Sequence, residues 1–341
     1  MQRVEHWLTR AAAERPGHTA LVCGGQRLDY ARFHAHSERL AAGLVREAGL
    51  ADGERCVIFA ENRIETCVAI FASLRAGAVF SVLNPSTKAA KLGYVLRDCA
   101  ASVLVIQRSL LPVFAAIEGA LPALRRLVVI DAEVGDDAGG TPADALDYAA
   151  LLAAEAPLLP QAPRGLDIDL AMLVYTSGST GQPKGVMMTH QNVRFAADSI
   201  CTYLEVGADE VVLSVLPLAF DYGLYQLLMA VRCGYTLVLE RSFAFPMKVL
   251  PLLASERVTG FPLVPTIAAL LVQLKQFPAE WARSLRFLTN TAAALPPAHI
   301  ERLQALFPAA RVFSMYGMTE SKRCTWLPPA ELARRPDSVG I

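Results

Sequence analysis

Strand-length apolar runs alternate with segments of helical period almost from end to end of the chain, the pattern of parallel sheet covered by helices. The runs that read as strands are RCVIFA (55–60), SVLVIQ (102–107), RLVVID (126–131), VVLSVLP (211–217) and YTLVLE (235–240). Between them, DYARFHAHSERLAAGLVREAG (29–49) keeps Phe33, Leu40, Leu44 and Val45 on one helical face, with Gly49 as its stop. FPLVPTIAALLVQL (261–274) is too short to span a bilayer and holds Pro262 and Pro265, so it reads as a buried strand end followed by a core helix. The expected class is α/β.

Single cores rarely grow beyond about 250 residues, so a chain of 341 residues predicts more than one packed unit. Between 132 and 168 the texture turns to Gly, Pro and Asp around a short helical piece, which places a boundary there. The expected division is 1–165 and 166–341, two lobes of similar build. Hydrophobic residues make up 53% and charged residues 19%, a globular composition and not a disordered one.

Thirty-two basic residues balance thirty-two acidic ones, so there is no net positive field for a nucleic-acid backbone or an anionic membrane. The seven cysteines (Cys23, Cys56, Cys67, Cys99, Cys201, Cys233, Cys324) form no C-x-x-C pair and read as reduced, mostly buried thiols. MQRVEHWLTRAAAERPGH at the N-terminus lacks the apolar core of a signal peptide. The expectation is a cytoplasmic protein with no integral membrane segment and no nucleic-acid partner.

LAMLVY (170–175) reads as a buried strand that runs into TSGSTGQPKGV, where Gly178, Gly181 and Gly185 allow backbone N–H groups to converge on one concavity. Thr176, Ser177, Ser179 and Thr180 add hydroxyl donors, and Lys184 adds a charge that can reach a polyphosphate. By composition this is a phosphate cradle; the competing reading is a flexible Ser/Gly loop. It is not a Walker loop, because Lys184 follows Pro183 and precedes Gly185.

YTSGSTGQPKGVMMTHQNV (175–193) closely resembles the signature loop of the adenylate-forming superfamily, the AMP-forming acyl- and aryl-CoA ligases, luciferases and adenylation domains of peptide synthetases. The resemblance implies an αβαβα large domain, with Thr176, Ser177, Gly178, Ser179, Thr180, Gly181 and Lys184 on the ATP phosphates. It also places His190 at the start of the following helix and not as a catalytic base. MYGMTE (315–320) is similar to the Y-G-x-T-E motif, which implies Tyr316 stacking on adenine, Thr319 on the α-phosphate and Glu320 on Mg²⁺. LTNTAAALPP (288–297) falls where the superfamily has its Gly-Gly-Ala-Pro-Leu adenine turn, with Ala292 and Ala293 in the adenine-contacting places and Ala294 in place of Pro. The N-terminal half resembles the opening lobe of these enzymes along most of its length.

LPLAFDYGLYQLLMA (216–230) occupies the position of the superfamily's acid pocket. Phe220 and Asp221 resemble amino-acid adenylation domains, in which an Asp pairs with the substrate ammonium; Asp221 also suits a helix N-cap, and both readings stay open. Tyr222 and Tyr225 are expected to shape this pocket. The implied reaction is ATP-dependent activation of a small carboxylic or amino acid, with release of pyrophosphate. Transfer to CoA or to the phosphopantetheine of a carrier protein follows, with Lys184, Thr319 and Glu320 as the catalytic set. RRPDSVGI (334–341) resembles sequence that in the superfamily precedes a ribose-binding Asp, a hinge, the rest of a barrel-like lobe and a small C-terminal domain. The chain is therefore expected to be the N-terminal part of such a ligase. The alternative is a nucleotide-binding or partner-binding module without turnover.

Overall fold

A computed structural model describes residues 3–131, 142, 144–155, 157–159, 165–176, 181–274 and 276–341. In chain order the strands are β1 (Thr19–Cys23), β2 (Gln26–Asp29), β3 (Arg55–Phe59), β4 (Val79–Leu83), β5 (Ala101–Gln107), β6 (Arg126–Ile130) and β7 (Leu146–Asp147). After these come β8 (Leu170–Thr176), β9 (Lys184–Thr189), β10 (Val211–Ser214), β11 (Thr236–Leu239), β12 (Gly260–Leu263), β13 (Phe287–Asn290), β14 (Arg311–Tyr316) and β15 (Thr325–Leu327). Among the described residues they form two sheets, ordered β7-β6-β5-β3-β4-β8-β9 and β15-β14-β13-β12-β10-β11-β1-β2. The fold is mixed α/β, with two parallel-rich sheets and helices between their strands.

The central strands β4 and β5 are buried along their full length, and β3 in all but Arg55, as expected of parallel strands covered on both faces. Val57, Phe59, Leu104, Ile106 and Val129 meet Leu92, Val95 and Leu96 of the helix Ala89–Asp98 in one core cluster. Each such side chain contributes roughly 1.5–3 kcal/mol of burial. The helix Tyr30–Arg46 opens on Asp29, whose carboxylate accepts from the Arg32 N–H at 2.7 Å. Phe33, Leu40 and Leu44 are buried along it, Val45 is half-buried, and Gly49 beyond it has φ +66°.

The chain divides into two compact units, Met1–Gly17 with Leu28–Phe195 and Leu218–Phe220, and His18–Arg27 with Ala196–Pro217 and Asp221–Ile341. The passage into the second unit falls within the helix His190–Leu204, later than position 165. The reason lies in the pairing of β8, which lies parallel to β4 and antiparallel to β9 and so holds Leu170–Thr176 and Lys184–Thr189 in the first sheet. The second sheet in turn takes in β1 from the N-terminal region, parallel to β11. Each sheet carries an antiparallel edge, β9 in one and β15 in the other.

None of the seven cysteines is in a disulfide; Cys56, Cys67 and Cys99 are buried, Cys23, Cys201 and Cys233 half-buried, and Cys324 exposed, so fewer are buried than composition predicts. Among the described residues no helix is long and apolar enough to cross a membrane.

Candidate active site

In the first unit the glycine and hydroxyl loop joins two antiparallel strands. Thr176 ends β8 and stands opposite Lys184, the first residue of β9, with Tyr175 opposite Gly185. The sequence reading placed the loop directly between strand and helix and missed β9, whose KGVMMT alternates too weakly to announce a strand. Gly185 has a packing reason: a β-carbon there would lie 3.1 Å from the Tyr175 ring. The Tyr175 hydroxyl donates to Asp98 Oδ2 at 2.6 Å, and burial followed by that carboxylate pushes its pKa up. Lys184 is exposed and its ammonium forms no hydrogen bond or ion pair among the described residues, and Gly181 is exposed at φ +88°. Ser177, Gly178, Ser179 and Thr180 lie outside the described residues. A cleft of about 300 Å³ is lined by Asn84, Thr87, Lys88, Lys91, Tyr175 and the half-exposed Phe220.

His190 starts the helix after β9. The turn is closed reciprocally, since the Thr189 hydroxyl accepts from the Asn192 N–H at 3.1 Å and Asn192 Oδ1 accepts from the Thr189 N–H at 3.1 Å. The His190 ring is fully buried, and Nδ1 accepts from the Val4 N–H at 3.2 Å. Burial, reinforced by Arg3 and His6, lowers its pKa to about 3. The ring is therefore neutral, and the Glu5 carboxylate 3.6 Å from Nδ1 makes no ion pair with it.

In the second unit β14 ends at Tyr316 and returns antiparallel as β15. The turn is tight: Lys322 N–H donates to Met318 O at 2.6 Å and Cys324 N–H to Tyr316 O at 2.9 Å. Tyr316 is 48% exposed, and Glu320 is exposed without a hydrogen bond or salt bridge among the described residues. Thr319 is half-buried, with its carbonyl accepting from Lys322 Nζ at 2.8 Å. A free carboxylate on a turn suits Mg²⁺ held mainly by phosphates, since that ion takes one or two protein carboxylates and keeps the rest of its shell. Among the described residues no three His, Cys, Asp or Glu side chains gather into a metal cage.

Parallel to β14, β13 ends at Asn290 and leads into the alanine turn. Ala292 and Ala293 are exposed, Ala292 sits at φ +76°, and Asn290 Nδ2 donates to the Ala293 carbonyl at 3.1 Å.

Asp221, Tyr222 and Tyr225 come together on the helix Asp221–Cys233, with Asp221 as its first residue. No backbone N–H among the described residues donates to the Asp221 carboxylate, which faces Arg323 Nη1 at 3.7 Å. The Tyr222 hydroxyl bonds to the Thr289 carbonyl at 2.9 Å and to Thr289 Oγ1 at 2.7 Å, and burial pushes its pKa up to about 12. Arg323 stacks over the Tyr222 ring at 4.5 Å, and Lys322 Nζ lies over the Tyr225 ring at 5.5 Å. Lys322 and Arg323 went unread in the sequence, where two adjacent cations after a turn look like a solvated surface. The available signal was Asp221, an acid within an apolar run, which needs a cation.

The family profile described as AMP-binding enzyme matches residues 8–341. A feruloyl-CoA synthase from Amycolatopsis sp is 33% identical over 342 residues, covering 100% of this chain and 64% of the synthase. Gramicidin S synthase 2 of Brevibacillus brevis is 26% identical over 95% of this chain, which spans 7% of that protein. The chain thus spans less than two thirds of the length of these curated relatives. Among solved structures, VinN in complex with L-aspartate is 32% identical with a TM-score of 0.83, covering 100% of this chain and 82% of that one.

Proposed function

The chain belongs to the AMP-binding enzymes, and from that premise we propose that it activates an amino acid as its acyl adenylate and passes the acyl group to a thiol. The observation that carries the reading is Lys184. It stands opposite Thr176 at the loop end of the β8–β9 pair, exposed and with no salt bridge to its ammonium among the described residues. An unpaired ammonium beside a loop of glycines and hydroxyls is suited to polyphosphate.

In the first step a substrate carboxylate oxygen attacks the α-phosphorus of ATP, the bond to the β-phosphate breaks, and pyrophosphate leaves. No protein nucleophile is required. Lys184 and the hydroxyl loop offset charge gathering on the leaving pyrophosphate, and the Thr319 hydroxyl donates to the α-phosphate. Tyr316 offers an exposed ring face to adenine, and the turn at Ala292 and Ala293 borders the ring. Glu320 would hold Mg²⁺, whose charge screens the phosphates. In the second step a thiol sulfur attacks the acyl carbon and AMP leaves; CoA and carrier-bound phosphopantetheine both supply that thiol.

Asp221 favours an amino acid over a simple acid, because its carboxylate takes no backbone donor among the described residues and can take an ammonium. The L-aspartate held by VinN is a ligand of that kind. Pyrophosphate exchange into ATP, driven by a panel of amino and aryl acids, tests the reading. Lys184→Ala is expected to slow exchange by about tenfold or more. An unchanged rate removes the role of Lys184, and absence of both ATP binding and exchange overturns the function.

A further inference from the structure

In the second unit two cationic side chains are buried side by side. The Lys322 side chain belongs to a residue 3% exposed, and the Arg323 side chain is 4% exposed. Asp221, 3.7 Å from Arg323, is the carboxylate beside them, and that separation is too long for a hydrogen bond. Arg323 Nε is buried without a partner among the described residues, and so is the Tyr225 hydroxyl. The Lys322 ammonium has one carbonyl, that of Thr319, and the Tyr225 ring face. Among the described residues the two buried cations have no carboxylate at salt-bridge or hydrogen-bond distance other than Asp221, with the exposed Glu320 acting on Lys322 from further off, an arrangement that a ligand carboxylate would complete.

We infer that Lys322 and Arg323 form a subsite for a second acidic group, so that the activated amino acid carries a side-chain carboxylate. This rests on the amino-acid reading of Asp221. The reacting carboxylate belongs near Thr319 and Glu320, at the α-phosphate. Glu320 and Tyr316 are exposed, whereas Lys322 and Arg323 turn inward onto the rings of Tyr225 and Tyr222. A carboxylate entering between these cations accepts from the free Arg323 Nε–H, takes a donor from Lys322, and brings the Tyr225 hydroxyl a partner. The substrate ammonium then takes over the Asp221 carboxylate from Arg323.

Pyrophosphate exchange with L-aspartate, L-asparagine and L-alanine tests the subsite, because asparagine keeps the shape of aspartate and lacks its charge. We expect kcat/KM for aspartate to exceed that for asparagine by about 100-fold or more, as for a buried site built around a polar group. Arg323→Gln is expected to lower that ratio at least tenfold, mainly through KM for aspartate. Arg323→Lys is expected to restore part of the ratio, which a merely structural role would not do. Exchange with neutral amino acids and no preference for aspartate overturns the subsite and leaves the proposed function standing. Exchange with aryl or fatty acids alone overturns both the subsite and the amino-acid reading. A fall in ATP affinity in Arg323→Gln, with the aspartate to asparagine ratio unchanged, assigns the cations to phosphate and also overturns it. If no acid drives exchange, equilibrium dialysis with labelled L-aspartate decides, and absence of binding overturns the subsite.

Discussion

Gly317 packs so closely on the backbone of Lys322 that a β-carbon on it would fall 1.5 Å from the Lys322 carbonyl oxygen. The turn after β14 can therefore close only around glycine, and that closure sends Tyr316 and Glu320 outward and Lys322 and Arg323 inward. Gly317→Ala is expected to cost about 2 kcal/mol or more, because backbone and not a side-chain end must move. Urea denaturation gives the loss as a lower midpoint at unchanged slope. A stability equal to the parent would mean that the turn closes without this contact.

Ala292 makes the opposite case. Its φ of +76° is a conformation that glycine adopts freely and alanine does not. Ala292→Gly should stabilise the chain by roughly 1 kcal/mol, the relief of left-handed strain less the added freedom of the unfolded glycine. The same urea midpoints check it, and a loss of stability would refute strain at this turn.

Much of this was legible in the sequence, for identifiable reasons. RCVIFA and RLVVID declare β3 and β6 because a parallel strand buried on both faces is apolar at almost every position. The helix start at His190 was legible through the resemblance of the signature loop, which carries THQN with it. The division near 165 was not, because it depends on β8 choosing β4 as its neighbour, a pairing between distant segments. Lys322 and Arg323 were unreadable for the same reason. Their burial is conferred by Tyr222 and Tyr225, which lie far earlier in the chain.

His190 follows the signature loop, yet it should be silent in catalysis. Its folded pKa is held near 3 by burial, against 6.5 when unfolded. Below pH 6.5 the unfolded state binds the extra proton, so stability falls as pH drops towards 3, by roughly 1.4 kcal/mol per unit. His190→Ala should cost about 3 kcal/mol by leaving a cavity and an unpaired Val4 N–H. It should also remove that slope and leave the pH profile of exchange in its original shape. A shifted profile would return His190 to the chemistry.

Lys322 carries a second pH signature, on the alkaline side. Its pKa falls from 10.5 to about 8, chiefly through burial and partly through Arg323, while Asp221 and Glu320 pull it upward. Between pH 8 and 10.5 the folded state has released the proton and the unfolded state still holds it, so stability rises with pH across that window. The gain is on the order of 3 kcal/mol. Comparing the parent with Lys322→Met over pH 7 to 10.5 isolates it from other lysines and tyrosines: the variant should be the more stable below pH 8, and the difference should shrink towards pH 10.5. L-Aspartate added near pH 8.5 should be taken up together with a proton, visible as a buffer-dependent enthalpy in calorimetry. Aspartate binding without proton uptake would mean that the Lys322 ammonium does not meet the ligand.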